Sequence, residues 1–217
     1  MDFLKRKMCN KYIRKIEINP LLWSCFQLEF HPLTPDRWND LEILFGEKGA
    51  CGGCWCMWWR LSYSEFLKQK GNKNKKALKN IVESGQIPGI IGYLMGKPIG
   101  WCSISPREVY PRLDRSRILK RVDDNPVWSI VCFYILKEFR RKGISFLLLK
   151  AALDYVKDNN GTIVEGYPIE PKKNSSPDAF VYTGLASAFR RAGFAEVIRR
   201  SETRPIMRFF ISNLNNE

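Results

Sequence analysis

Residues 26–31 alternate Phe26, Leu28 and Phe30 with Gln27, Glu29 and His31, the period of two expected of a strand that buries one face. Thr34-Pro35-Asp36 then predicts a helix start, with Thr34 as N-cap and Pro35 at the first helical position. Trp38, Leu41, Leu44 and Phe45 form its apolar stripe, and Gly46 and Gly49 mark its end. A charged helix is predicted near 64–70. Another is predicted over 73–84, with Ala77, Leu78, Ile81 and Val82 inward. The apolar runs 89–95 and 99–105 flank Gly96-Lys97-Pro98 and read as a β-hairpin. A polar connection follows over 107–125, with a short helix expected within 115–121.

The pattern sharpens again at Trp128, where an apolar, β-branched strand runs to Ile135. A short basic loop leads from it into a helix with Ile144, Leu147, Leu148, Ala151, Ala152, Tyr155 and Val156 on one face. Asn160-Gly161 ends that helix. Next come a strand over 162–167, a polar loop over 172–178, a helix over 182–191, and strands over 195–200 and 205–211. The predicted order is β-α-α-β-β-β-α-β-α-β-β. It describes an α/β (α+β) chain with a mixed central sheet of about seven strands flanked by helices. The strand–helix–strand unit over 128–167 reads as a parallel crossover.

A chain of 217 residues, 45% hydrophobic, suits one domain with an extension. Residues 1–25 read as an N-terminal extension and 26–217 as the domain. Thirty-six Lys and Arg against 22 Asp and Glu give a formal charge of +14, which draws anions of many kinds. The positive residues are scattered rather than gathered into one face, which disfavours a nucleic-acid-binding protein. Seven cysteines, at 9, 25, 51, 54, 56, 102 and 132, are an odd number and argue against a full disulfide framework. No apolar run approaches the roughly 20 residues of a membrane helix, and no apolar segment follows the charged N-terminus. A cytoplasmic protein with free thiols and no membrane partner is expected.

The loop Arg140-Arg-Lys-Gly143-Ile-Ser145 carries the candidate chemistry. Main-chain amides at a helix start, the helix dipole and three consecutive cations favour an anion such as a pyrophosphate. A glycine at 143 lets the backbone approach that anion closely. The spacing Arg140-x-x-Gly143-x-Ser145 resembles the acyl-CoA loop of the GCN5-related N-acetyltransferase (GNAT) superfamily. The resemblance extends over about 26–211, and Gly193-Phe194 is also typical of it. It implies that 26–217 is an acyl-CoA N-acyltransferase domain that moves an acetyl group from acetyl-CoA to a primary amine by direct attack in a ternary complex. It implies no metal. Arg140, Arg141, Lys142, Gly143, Ile144 and Ser145 would hold the pyrophosphate. Main-chain groups of Phe133, Tyr134 and Ile135 would meet the pantetheine arm in a gap between two splayed strands. Ser145 stands where relatives carry Gly or Ala. Phe189 stands where many carry a tyrosine that protonates the leaving thiolate.

The loss of that tyrosine makes Tyr182 a candidate acid and leaves a catalytically silent acyl-CoA sensor as an alternative. Glu165 and Tyr167 share one strand face, two residues apart. Glu165 is the candidate general base, and a solvent-facing carboxylate is the plainer reading. Cys51-Gly-Gly-Cys-Trp-Cys-Met-Trp-Trp-Arg60 resembles a segment of a subgroup of uncharacterised acetyltransferase-like proteins. It lacks the second Cys/His pair of a structural zinc site. Cys54, Trp55, Trp58, Trp59 and Tyr167 are the candidate substrate-binding residues, with the tryptophans forming either a pocket wall or an aromatic plug. The acceptor is expected to be a small-molecule or peptide amine, and a homodimer is compatible with the sequence.

Overall fold

A computed structural model of the protein describes residues 28–171 and 181–211. The extension 1–25, Phe26 and the loop 172–178 lie outside the described residues. Seven strands form one sheet: β1 (Leu28–Pro32), β2 (Gly89–Leu94), β3 (Lys97–Pro106), β4 (Trp128–Ile135), β5 (Ile163–Gly166), β6 (Ala195–Arg199) and β7 (Pro205–Phe210), in the order β1-β2-β3-β4-β5-β7-β6. β4 and β5 are parallel. Every other neighbouring pair is antiparallel. The mixed seven-strand sheet expected from the sequence is present, and β4 has the predicted bounds.

Three helices, each expected from its segment although the condensed order names only two, connect β1 to β2: α1 (Trp38–Phe45), α2 (Tyr63–Gln69) and α3 (Asn72–Glu83). Thr34 makes no N-cap bond, and a 3-10 turn, Pro35–Arg37, precedes α1. Ser62 and Glu65 form a reciprocal capping box that starts α2. The hairpin turn is Met95-Gly96, both at positive φ, rather than 96–98. That two-residue turn sets Tyr93 opposite Pro98 and places Lys97 and Pro98 inside β3. The short helix of the 107–125 connection is α4 (Pro111–Asp114), upstream of the expected 115–121, because Pro111 supplies its first turn.

α5 (Ile144–Asp158) is 15 residues long and covers one face of the sheet. Its most buried residues are Ile144, Leu148, Leu149, Ala152, Leu153 and Val156. The core stripe is therefore rotated from the predicted face, and Leu147, Ala151 and Tyr155 form its partly buried flank. Each fully buried aliphatic side chain contributes about 2 kcal/mol of transfer free energy. Gly100 of β3 allows this close seating, since a Cβ there would lie 3.2 Å from Leu148 and 3.3 Å from Ile144. The opposite face carries α1, α3 and residues 55–57 in a second core that includes Trp38, Phe45, Trp55, Leu78 and Trp101. The last helix, α6 (Ala186–Arg191), is shorter than the predicted 182–191. Gly184 at φ +88 and the pairing of Ile169 with Leu185 hold 182–185 out of helical geometry. No helix among the described residues is long and apolar enough to cross a membrane.

Candidate functional site

β4 and β5 pair only through Trp128–Val164, Ser129–Glu165 and Ile130–Gly166. β5 ends there, whereas β4 continues to Ile135, so the two strands part in the middle of the sheet. The register of β4 against β3 slips at the same place: Ser103 faces Cys132 and Ile104 faces Ile130, which leaves Val131 as the extra residue of a β-bulge. Beyond the bulge the backbone alternates. Leu136 N–H bonds Ile99 on the β3 side, and Phe133 N–H points the opposite way to Tyr182 O, 2.6 Å distant. Main-chain groups of Phe133 and Ile135 therefore face the gap, and those of Tyr134 face β3. The Ile135 carbonyl accepts a bond from Arg140 Nε at 2.9 Å. Of Phe133, Tyr134 and Ile135, the first and last turn main-chain groups toward the gap, and each already has an internal partner.

The loop after β4 turns through left-handed backbone into α5. Arg141 lies at φ +60 and Gly143 at φ +78, and Gly143 is the residue before α5. This sign of φ favours glycine at 143 on conformational grounds alone. The first-turn amides of Ile144 and Ser145 have no intrahelical acceptor. Ile144 itself is buried and anchors the helix start, while Arg141 is exposed and Ser145 half-buried. Lys142 Nζ lies 5.9 Å from the centroid of Phe139. A cation not singled out in the sequence, Arg191 of α6, lies 4.5 Å over Phe146 in that first turn. A polyphosphate fits this set of donors and charges. Among the described residues, no group of three or more His, Cys, Asp or Glu converges to hold a metal.

Across the gap, Tyr182 is half-buried, and burial pushes its hydroxyl pKa up to about 12. It stays protonated, and able to donate, through neutral pH. Its electrostatic neighbours include Arg204, Cys132, Arg112 and Cys54. Cys132 faces the second core with Tyr134. Burial, ahead of neighbouring Cys56, pushes the Cys54 thiol up to about 11, so it is not a thiolate at neutral pH. Cys56 and Cys132 bring their sulfurs within 3.5 Å. Trp58 is half-buried and carries the Arg112 guanidinium 3.6 Å above its ring. Cys54, Trp58 and Tyr182 thus lie in one region. Arg112, Cys132 and Arg204 join them, and no motif in the sequence marks those three.

The other four sequence candidates are buried. Trp55 is 3% exposed and stacks on Trp38, filling the space over Gly49, where a Cβ would meet it at 2.1 Å. Trp59 is packed with Tyr110, Val131 and Tyr167. Both are buried in the core, and of the three tryptophans in this segment Trp58 alone is half-buried. Glu165 and Tyr167 are both 0% exposed, so Glu165 is not the solvent-facing carboxylate of the plainer reading. Glu165 Oε1 accepts from Arg107 Nη1 at 3.0 Å and from Tyr167 OH at 2.6 Å. Its Oε2 accepts from Arg208 Nε at 2.7 Å. Arg107 also reaches Asp114, and Arg208 reaches Asp123. A carboxylate bound on both oxygens inside this network is poorly placed to take a proton from an acceptor. Its role is to neutralise two buried guanidinium groups. Phe189 packs against Phe133 and Phe194 in the core, with no hydroxyl to offer.

A model of the acetyltransferase (GNAT) family matches residues 55–167, just over half of the chain. No curated protein matches it. Among solved structures, a GNAT-family acetyltransferase from Listeria monocytogenes superposes with a TM-score of 0.53 at 10% identity, covering 85% of this chain and 95% of that one. Another from Streptococcus agalactiae gives 0.52 at 14% identity, with 87% and 98% covered. The aminoglycoside N-acetyltransferase AAC(6')-Iy in complex with CoA gives 0.51 at 14% identity, with 87% and 96% covered. These likenesses are of fold.

Proposed function

Because this chain belongs to the acetyltransferase (GNAT) family, and so to the acyltransferases, we propose that it carries an acetyl group from acetyl-CoA to a primary amine by direct attack in a ternary complex. The observation that carries this reading is the parting of β4 from β5 beyond Ile130, followed along the chain by a positively charged loop at the start of α5. The loop 140–145 would hold the pyrophosphate, and the gap-facing edge at Phe133 and Ile135 would hold the pantetheine arm. Ile135 N–H and, once Tyr182 O moves off it, Phe133 N–H are the donors within reach of a thioester carbonyl. Tyr182 would protonate the leaving thiolate in place of the tyrosine that Phe189 replaces. The amine must arrive, or become, unprotonated, and with Glu165 engaged by two arginines we assign that proton to water in the gap.

The test is a panel of primary amines incubated with acetyl-CoA and the full-length protein, followed by release of free thiol. Amine-dependent release is expected. Tight acetyl-CoA binding with no release on any amine would favour the silent sensor instead.

A further inference from the structure

The distribution of arginines points to the acceptor. The best-buried guanidinium groups, Arg107 and Arg208, are matched by Glu165, Asp114 and Asp123. At the sheet edge Arg190 and Arg199 share Glu170 and Glu196. Arg112 and Arg204 differ. Both are partly buried, and among the described residues neither has a carboxylate partner. Arg112 rests on Trp58, 3.6 Å from the ring centroid, and gives Nη1 to Trp58 O at 3.2 Å. Arg204 gives Nη1 to Thr183 Oγ1 at 2.9 Å, one residue from Tyr182. Both act electrostatically on the Tyr182 hydroxyl, while the Tyr182 carbonyl contacts β4 at Phe133. Two guanidinium groups with no acid partner among the described residues therefore lie in the neighbourhood of Tyr182, where the acetyl group would be handed over. Burial pulls both below the usual arginine range, consistent with lost hydration that no anion among the described residues replaces.

Resting on the acetyl-transfer reading, we propose that the acceptor amine carries a carboxylate, held by Arg112 and Arg204 beside Tyr182 with Trp58 as the flat wall of its site. A guanidinium already stacked on an indole keeps its forked N–H edge in one plane, which suits a planar carboxylate. The acceptor class is amino acids and related amino-carboxylic acids.

The experiment offers the full-length protein the α-amino acids, each also as its carboxamide, together with ethanolamine and O-phosphoethanolamine, and follows thiol release from acetyl-CoA. At least one free acid is expected to exceed its carboxamide in kcat/KM by on the order of a hundredfold, about one decade for each charged hydrogen-bond pair. Arg112→Gln and Arg204→Gln should each shrink that ratio roughly tenfold, with acetyl-CoA affinity by calorimetry unchanged. A second measurement needs no variant: N-acetyl amino acids, but not N-acetyl carboxamides, should raise the melting temperature of the CoA-saturated protein. Equal turnover of acids and carboxamides, or preference for the phosphate, overturns this inference and leaves acetyl transfer standing. Failure to bind acetyl-CoA overturns the enzyme reading, and this inference with it.

Discussion

Tyr182 is the residue on which the proposed chemistry turns. Its raised pKa means that the hydroxyl is a donor throughout the working range, so any loss of activity above neutral pH has another origin. Tyr182→Phe keeps the carbonyl that meets Phe133 and removes only the acid. It should lower kcat by about a hundredfold or more, the usual yield of a placed general acid, with little change in acetyl-CoA affinity. A variant with full kcat would remove Tyr182 from the mechanism. Cys54 is a nearby thiol that does not need to react. Its pKa near 11 predicts slow alkylation by iodoacetamide at pH 7.5, behind the exposed Cys51, and near-normal turnover for Cys54→Ala. Rapid acetylation of Cys54 by acetyl-CoA would contradict this and point to a covalent route.

Among the elements, the junction of β4 and α5 decides most. The bulge at Val131 and the early end of β5 make an opening in a sheet that would otherwise be closed. The left-handed turn at Gly143 then starts the helix with its free amides beside three consecutive cations. Gly143→Asp places a carboxylate at the proposed pyrophosphate site and should abolish acetyl-CoA binding in a calorimetric titration. Gly143→Ala separates charge from conformation. It bears the same left-handed strain of about 1 kcal/mol and should retain measurable affinity. Equal binding by wild type and Gly143→Asp would take the pyrophosphate away from this loop. The Phe133–Tyr182 bond gives a further sign of binding at the element scale. An arm entering the gap must displace it, so hydrogen exchange at Phe133 and around 182–184 should change when acetyl-CoA is added.

Across the whole molecule, the buried network of Arg107, Glu165, Tyr167 and Arg208 ties β5 and β7 to the connection before β4. Glu165→Gln leaves two guanidinium groups without their shared anion. It should cost about 3–5 kcal/mol of stability, read as a lower denaturant midpoint, rather than alter the pH–rate profile selectively. Asp123 guards the outer end. Its bond from Arg208 is the main cause that holds its carboxyl down to about 2, below the ordinary aspartate value. A depressed pKa stabilises the fold above the unfolded value near 4, and that contribution is lost as pH falls toward 2. Asp123→Asn should therefore lower the melting temperature at neutral pH and flatten its fall between pH 4 and pH 2. An unchanged slope would mean that other carboxylates govern acid unfolding.

The strands of the sheet, the strand–loop–helix unit over 128–158 and the glycine-containing basic loop within it were legible along the chain, because these follow from local periodicity and from a short, spaced motif. The sequence also placed Phe189 where a hydroxyl is missing. It could not separate Trp55 and Trp59, which pack inside, from Trp58, which is half-buried, since three tryptophans in one irregular segment have no period to orient them. It placed Glu165 and Tyr167 on one face but not that face's surroundings. Arg107 and Arg208, 58 residues before and 43 after Glu165, reach it only when the sheet assembles. Which arginines lack an acid is likewise invisible along the chain. Net charge is additive over residues, but pairing depends on distances between segments far apart in sequence, and those distances exist only in the folded protein.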